Sequence, residues 1–286
     1  MTGSPYLPLG LAVLFVSFGS IFVRLAQAPP LAVSFYRIFL AALLLAPFAF
    51  APARRSWAVL SPRLRLVLLA SGAALAIHFA TWVASLSFTS IASSVLLVNT
   101  APLFAVALSW TFLNERSSPV VLAAIGLALV GAGLIAAADF SSAPASLGGN
   151  LLALAGAATL AAYHVIGRGL RDALPLNAYV FGVWSTAALT LALLCIPFRV
   201  RLVGYEPKTW SLFLALAVVP TLAGHGLVNK SLRSLPAPTV GLFLLGEPVG
   251  ASLLAYGIFG EVPGPWTVAG GVLVLVALTL VLLRCS

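Results

Sequence analysis

Read by polarity alone, the chain alternates long apolar runs with short clusters of charge, proline and glycine. Cutting at those clusters predicts ten spans, at approximately 7–26, 31–51, 64–87, 90–113, 119–137, 150–169, 177–197, 210–233, 237–260 and 264–284. Each is close to the ~20 residues that an α-helix needs to cross a hydrocarbon core of roughly 30 Å. The runs are continuously apolar and do not alternate every second residue, which predicts helices and argues against a spanning barrel. The longest charge-free stretch, Leu66 to Asn114, has 49 residues and must fold back on itself, near Thr89 and Ser90.

The pattern occurs twice. Pro102, Glu115 and Pro119 recur 146 residues later as Pro248, Glu261 and Pro265, and both copies end in a Gly-dotted apolar run. The chain therefore reads as a first repeat, 1–138, a linker, 139–149, and a second repeat, 150–286. The linker lies in the stretch ADFSSAPASLGG, Ala138 to Gly149, which is rich in Ser, Pro and Gly and divides the spans five and five. An odd number of spans per unit makes the second copy enter the membrane from the opposite side. Inverted repeats of this kind place a substrate site near the midplane and point to a transporter. Pro119 and Pro265 fit the first turn of spans 5 and 10, where a missing N–H costs nothing.

Charge sets the orientation. With the N-terminus in the cytoplasm, the inner loops and span ends receive ten Lys and Arg and the outer ones five, so the positive-inside bias puts both termini inside. The net charge of +9 would suggest a nucleic-acid partner in a soluble protein, but the basic residues cluster in short loops between spans, and topology explains them. Hydrophobic residues make up 62% and charged residues 7%, too little polar surface to clothe a water-soluble globule. The start of the chain lacks the basic region of a cleaved signal peptide, so residues 7–26 are expected as a retained span. Cys195 and Cys285 lack metal-ligand spacing, and no cofactor or metal is implied.

The segments NTAPLFAVALSWTFLNERSSPVVLAAIGLALVGAGLI and GEPVGASLLAYGIFGEVPGPWTVAGGVLVLVALTLVLL closely resemble the two repeats of EamA-type members of the drug/metabolite transporter superfamily. The resemblance covers essentially the whole chain. It implies a ten-helix permease, in a family whose members export amino acids, aromatic ones included, or other small metabolites. The fold class expected is thus all-α integral membrane: ten transmembrane helices as two inverted five-helix repeats, N and C termini cytoplasmic.

Polar side chains inside spans are costly and mark candidate sites. In span 3, His78, Trp82, Ser85 and Thr89 share one helical face and suit a cavity wall, against the alternative of a histidine satisfied by a neighbouring helix. In span 8, Thr221, His225 and Asn229 are spaced alike, and a neutral imidazole suits an amino or carboxylate group. Glu247 is the carboxylate well inside a span, and its repeat-mate is Ala101. It suits a substrate ammonium or a proton; its Glu-Pro context, which recurs in the family it resembles, fits a structural contact equally.

Pro102 and Pro248 free the carbonyls of Val98 and Leu244 and predict kinked helices. The family is thought to bend such helices, which makes both prolines hinge candidates. Asn99, one turn from Pro102, suits a freed carbonyl or a substrate. Tyr163 and Trp184, interior to spans 6 and 7, suit the walls of a substrate pocket or plain packing. Arg37 suits a carboxylate or a snorkelling interface position. Gly126, Gly131, Gly133, Gly270 and Gly271 allow close helix approach, read as packing within one chain and hence a monomer, against the alternative of a dimer contact.

These residues predict a carrier in the bacterial inner membrane that exports amino acids or similar small zwitterionic metabolites by alternating access. Its partners are a small-molecule substrate and the lipid bilayer. The alternative is a multidrug or organic-cation exporter that depends on Glu247. An intramembrane hydrolase is disfavoured, because the sequence has no Gly-x-Ser-x-Gly elbow, no His-Glu-x-x-His and no paired aspartates.

Overall fold

The structure, a computed structural model, describes residues 6–88, 94, 97–139, 147–260, 262 and 264–285. The fold-back at Thr89 and Ser90, linker residues 140–146 and Glu261 lie outside the described residues. Every regular element among those described is helical: α1 (Tyr6–Ala26), α2 (Pro30–Val59), α3 (Pro62–Ser85), α4 (Ala101–Leu113), α5 (Pro119–Asp139), α6 (Leu147–Gly169), α7 (Leu176–Cys195), α8 (Pro207–Ser231), α9 (Ala237–Leu244), α10 (Glu247–Phe259) and α11 (Pro265–Cys285). Among the described residues, seven stretches are long and apolar enough to cross a membrane: α1, α2, α3, α6, α7, α8 and the run Ala237–Ile258 through α9 and α10. Three shorter apolar helices, Ala101–Leu113, Pro119–Leu134 and Val268–Leu283, lie where spans 4, 5 and 10 are expected.

Local chemistry explains the helix starts. Pro30, Pro62, Pro119, Pro207 and Pro265 each open a helix, with the ring's fixed φ pre-set for the first turn. Ser61 and Ser118 cap α3 and α5 by accepting from the N–H of Leu64 and Val121, each at 3.3 Å. The largest outward shift from a sequence expectation is in α2, which runs past 51 to Val59. Packing holds this extension, because Ala49 and Ala53 are fully buried and Trp57 stacks on Phe181 of α7 at 6.0 Å.

Spans 4 and 9 do not bend as continuous helices; they break. The chain turns at Asn99 and Thr100 and restarts as α4, and it turns at Leu245 and Gly246 and restarts as α10. The two breaks are 146 residues apart, so each proline sits second in a new helix, where it removes no helical hydrogen bond. The correspondence continues to the far ends. Asn114 caps α4 in the left-handed region (φ 53°), and its repeat-mate Gly260 follows α10 with φ 69°.

Packing repeats in the same way. α3 lies on α6, and one repeat later α8 lies on α1; α4 on α6 is matched by α10 on α1, and α3 on α7 by α8 on α2. Of the remaining large interfaces, two pair elements with their own equivalents, α2 with α7 and α5 with α11, and a third packs α4 on α9, joining expected spans 4 and 9. Such a map has a two-fold relation between the halves. Close approach is built with glycine: a Cβ on Gly131 of α5 would stand 2.6 Å from the Gly270 carbonyl of α11. Nothing lies within 4 Å of a Cβ on Gly126.

The two ends of the bundle are tied differently. At one end Glu115 binds Arg168 and Arg171 at 3.0 and 3.4 Å, and Arg233 donates to the Leu174 carbonyl. At the other, Thr209 donates to the Ala26 carbonyl and Tyr36 to that of Leu202, over an aromatic group of Tyr36, Tyr205, Trp210 and Phe213. Between the ends, one apolar cluster gathers α2, α3 and α7 around Ile38, Leu75 and Trp184. A second gathers α1, α5, α9 and α11 around Leu9, Ile125, Leu242 and Val281.

Candidate functional site

A cavity of about 80 Å³ lies between these clusters, and both repeats wall it. The first repeat contributes Arg37 from α2, His78, Phe79 and Trp82 from α3, and Asn99 and Pro102 at the break before α4. The second contributes His164 from α6, His225 from α8, and Glu247 and Pro248 at the start of α10. Both helix breaks therefore border the same space.

Five of the eight sequence-predicted site residues come together here: His78, Trp82, Asn99, His225 and Glu247, with both hinge candidates Pro102 and Pro248. His78 is oriented by a hydrogen bond between Nδ1 and the Gly156 carbonyl at 2.9 Å, and its ring lies parallel to that of Trp82. Phe79 meets His225 edge to face at 5.5 Å. In repeat register the equivalent of His225 is Phe79, not His78, so these two contacting rings are repeat-mates.

The other three lie outside the cavity lining. Ser85 bonds the Trp82 carbonyl and the hydroxyl of Ser94 at 2.6 Å. Tyr163, fully buried, accepts from the Asn229 amide, which also donates to the His225 carbonyl. Trp184 is buried in the cluster of α2, α3 and α7.

Two residues of the wall exceed what the sequence suggests. His164 follows Tyr163 in α6, is 2% exposed, and is a third histidine on the cavity. Arg37 does not snorkel. It is 2% exposed, its Nε donates to Thr221 Oγ1 at 3.3 Å, and its guanidinium carbon lies 4.1 Å from the centre of the Phe79 ring.

Thr221 belongs to a π-helical stretch, Ala217–His225, inside α8. Pro220 explains it: without an N–H, that residue cannot close the α-helical bond to Leu216. The Thr221 hydroxyl donates to the Leu216 carbonyl instead, at 2.8 Å, and is left to accept from Arg37. π-Helical turns of this kind occur frequently at functional sites.

Burial leaves polar atoms in this wall without protein partners. Among the described residues, Trp82 Nε1, His164 Nε2 and His225 Nδ1 form no hydrogen bond. Buried polar groups are satisfied in the great majority of cases, so three such atoms around one cavity mark a place for a polar ligand. Arg37 and Glu247 are near enough to interact electrostatically but form no direct ion pair among the described residues. The described residues hold no cluster of His, Cys, Asp and Glu suited to a metal ion.

The profile of the EamA-like transporter family matches residues 5–137 and 147–283. The chain belongs to this family. Two matches, one to each half of the chain, account for the doubled packing pattern of this EamA-like protein. Among its relatives is the uncharacterized transporter YwfM of Bacillus subtilis, 28% identical over 188 residues, a match spanning 66% of this chain and 63% of that protein. An uncharacterized transporter of Archaeoglobus fulgidus is 26% identical over 96% of this chain and 95% of its own length. A crystal structure with 21% sequence identity superposes with a TM-score of 0.82 over 99% of this chain and 98% of that one, which shows a shared fold. Family and relatives indicate a multi-pass membrane transporter rather than an enzyme.

Proposed function

We propose that this EamA-like protein exports amino acids or similar small zwitterionic metabolites across a bacterial inner membrane by alternating access. In this reading it is a ten-span monomer of two inverted repeats, 1–138 and 150–286, with both termini in the cytoplasm. One observation carries the substrate class: a single buried cavity, walled by both repeats, holds a guanidinium, a carboxylate and three partnerless polar atoms. An apolar substrate that displaced water from the cavity would leave those groups unpaired, at a cost of several kcal/mol. A molecule carrying both charges would pair them. The breaks at Asn99–Thr100 and Leu245–Gly246 supply a means of motion, since each lets the helix segment beyond it swing about the cavity without breaking α-helical bonds.

The test is transport by purified protein in liposomes against a panel of labelled amino acids. Saturable uptake that His78→Ala and Trp82→Ala abolish supports the reading. No flux above protein-free liposomes for any amino acid overturns it. A second reading, export of organic cations, is favoured by the placing of Glu247 on a cavity lined by Phe79 and Trp82. It requires flux of a quaternary ammonium probe to depend on Glu247 and not on Arg37.

A further inference from the structure

Arg37 is the least expected residue in this membrane interior. A buried guanidinium is kept only where its charge and its N–H groups find partners. Here one N–H is taken by Thr221 and one face by Phe79. Among the described residues no other hydrogen bond reaches the group, although it is 2% exposed and lines the cavity. The guanidinium fork matches the two oxygens of a carboxylate in a way that no other side chain does.

Glu247 supplies the opposite charge. Its backbone carbonyl accepts from Ser17, while its carboxylate has no hydrogen-bond partner among the described residues. Two opposite charges on one cavity, neither satisfied by the other, describe a receptor for a molecule that carries both.

Size narrows the class. An apolar cavity of about 150 Å³ accommodates one benzene ring, and roughly 10–15 Å³ holds a water. The cavity here is partly open and its 80 Å³ equals the space of about five to eight waters. Alanine has as many non-hydrogen atoms as benzene, so it already fills this partly open cavity, and a head group that carries an aromatic side chain far exceeds it.

We propose that Arg37 and Glu247 are the paired anchors for the carboxylate and ammonium of an α-amino acid, and that the site selects small side chains such as that of alanine. The proposal rests on the amino-acid reading above and assigns its recognition chemistry. Thr221 is a positioning residue: its hydroxyl, turned by the π-helical stretch at Pro220, fixes the Nε side of Arg37 and leaves Nη1 and Nη2 for substrate.

The experiment uses the full chain in liposomes preloaded with L-alanine. Uptake of labelled L-alanine is competed by unlabelled L-alanine, alaninamide, propionate and L-tryptophan. Alaninamide lacks the carboxylate and propionate the ammonium, so both should compete at least roughly tenfold more weakly than alanine, because a site built to pair a group rejects the analogue without it. Tryptophan should compete weakly too. Arg37→Lys keeps the charge but loses the fork, and should raise the KM for alanine roughly tenfold while leaving inhibition by alaninamide unchanged. Thr221→Val should give the same split more mildly.

Equal competition by alanine and alaninamide would remove Arg37 as the carboxylate anchor, and tryptophan uptake matching that of alanine would remove the size limit. In both cases the amino-acid reading would stand. If the wild-type protein carries no amino acid but does carry a quaternary ammonium probe, the reading and the proposal fall together. The analogue series uses wild-type protein, so it decides the matter even if the variants do not fold.

Discussion

Arg168 Nη2 stands 3.0 Å from Glu115 Oε1. The same guanidinium donates to the carbonyls of Leu232 and Arg233, so one side chain at the end of α6 ties the loop after α4 to the loop after α8. The ion pair is partly exposed and by itself contributes only about 0–1 kcal/mol. Its importance lies in what it joins, because Glu115 belongs to the first repeat and Arg168 to the second.

Breaking that tie should open the cavity toward this end. Glu115→Gln in an Ala105→Cys background should raise labelling by a membrane-impermeant maleimide added on the Glu115 side severalfold, since Ala105 lines the cavity and is 2% exposed. Unchanged labelling would show that the tie does not close the path.

Gly72 sits where α3 crosses α7. A Cβ there would meet Thr186 Cβ at 2.5 Å and the Val183 carbonyl at 2.8 Å, so Gly72→Ala should cost about 1–3 kcal/mol and lower the melting temperature in detergent. Gly126→Ala, with nothing within 4 Å of the added carbon, should melt close to the wild type.

Tyr163 and Asn229 join α6 to α8 outside the cavity. Tyr163→Phe removes an acceptor from a buried amide and should destabilise by about 1–3 kcal/mol. A thermal melt should register this loss, and the KM for the transported substrate should stay near its wild-type value.

The polar and proline positions are the part of the cavity that is legible in the sequence. His78, Trp82, Asn99, His225, Glu247 and the two prolines stand out because each interrupts an apolar run, and the cavity gathers all of them. Ser85, Tyr163 and Trp184 interrupt such runs as well, but which neighbour a helical side chain meets depends on packing, which periodicity does not contain. Arg37 was ambiguous because it lies within two turns of the start of α2, where a long side chain has the choice of reaching out or in. His164, beside Tyr163, carries the same signal as His78 and His225, a lone imidazole in an apolar helix. The Pro220-Thr221 pair signals the π-helical stretch: a proline inside a span frees a carbonyl, and the next hydroxyl can take it. The kinks expected at Pro102 and Pro248 became breaks because the turns precede the prolines by two to three residues.

That stretch offers its own test. Pro220→Ala restores the missing donor and lets α8 relax to an α-helix, which draws the Thr221 hydroxyl away from Leu216 and Arg37. The KM for alanine should rise severalfold with the melting temperature unchanged or higher. An unaltered KM would separate the π-helical turn from substrate recognition.

Glu247 and Ala101 are repeat-mates, each the first residue of a helix that restarts beside the cavity. If the two halves were chemically identical and inverted, the outward-open and inward-open forms would be related by a two-fold rotation and isoenergetic, and no direction of opening would be preferred at rest. Any resting bias must come from positions where the duplicated halves have diverged. Such a divergence lies at the pivot itself, with a carboxylate on one side and a methyl group on the other. On the amino-acid reading, a bound ammonium would stabilise one form over its rotated counterpart, so the cargo itself would lift the degeneracy that gene duplication built in.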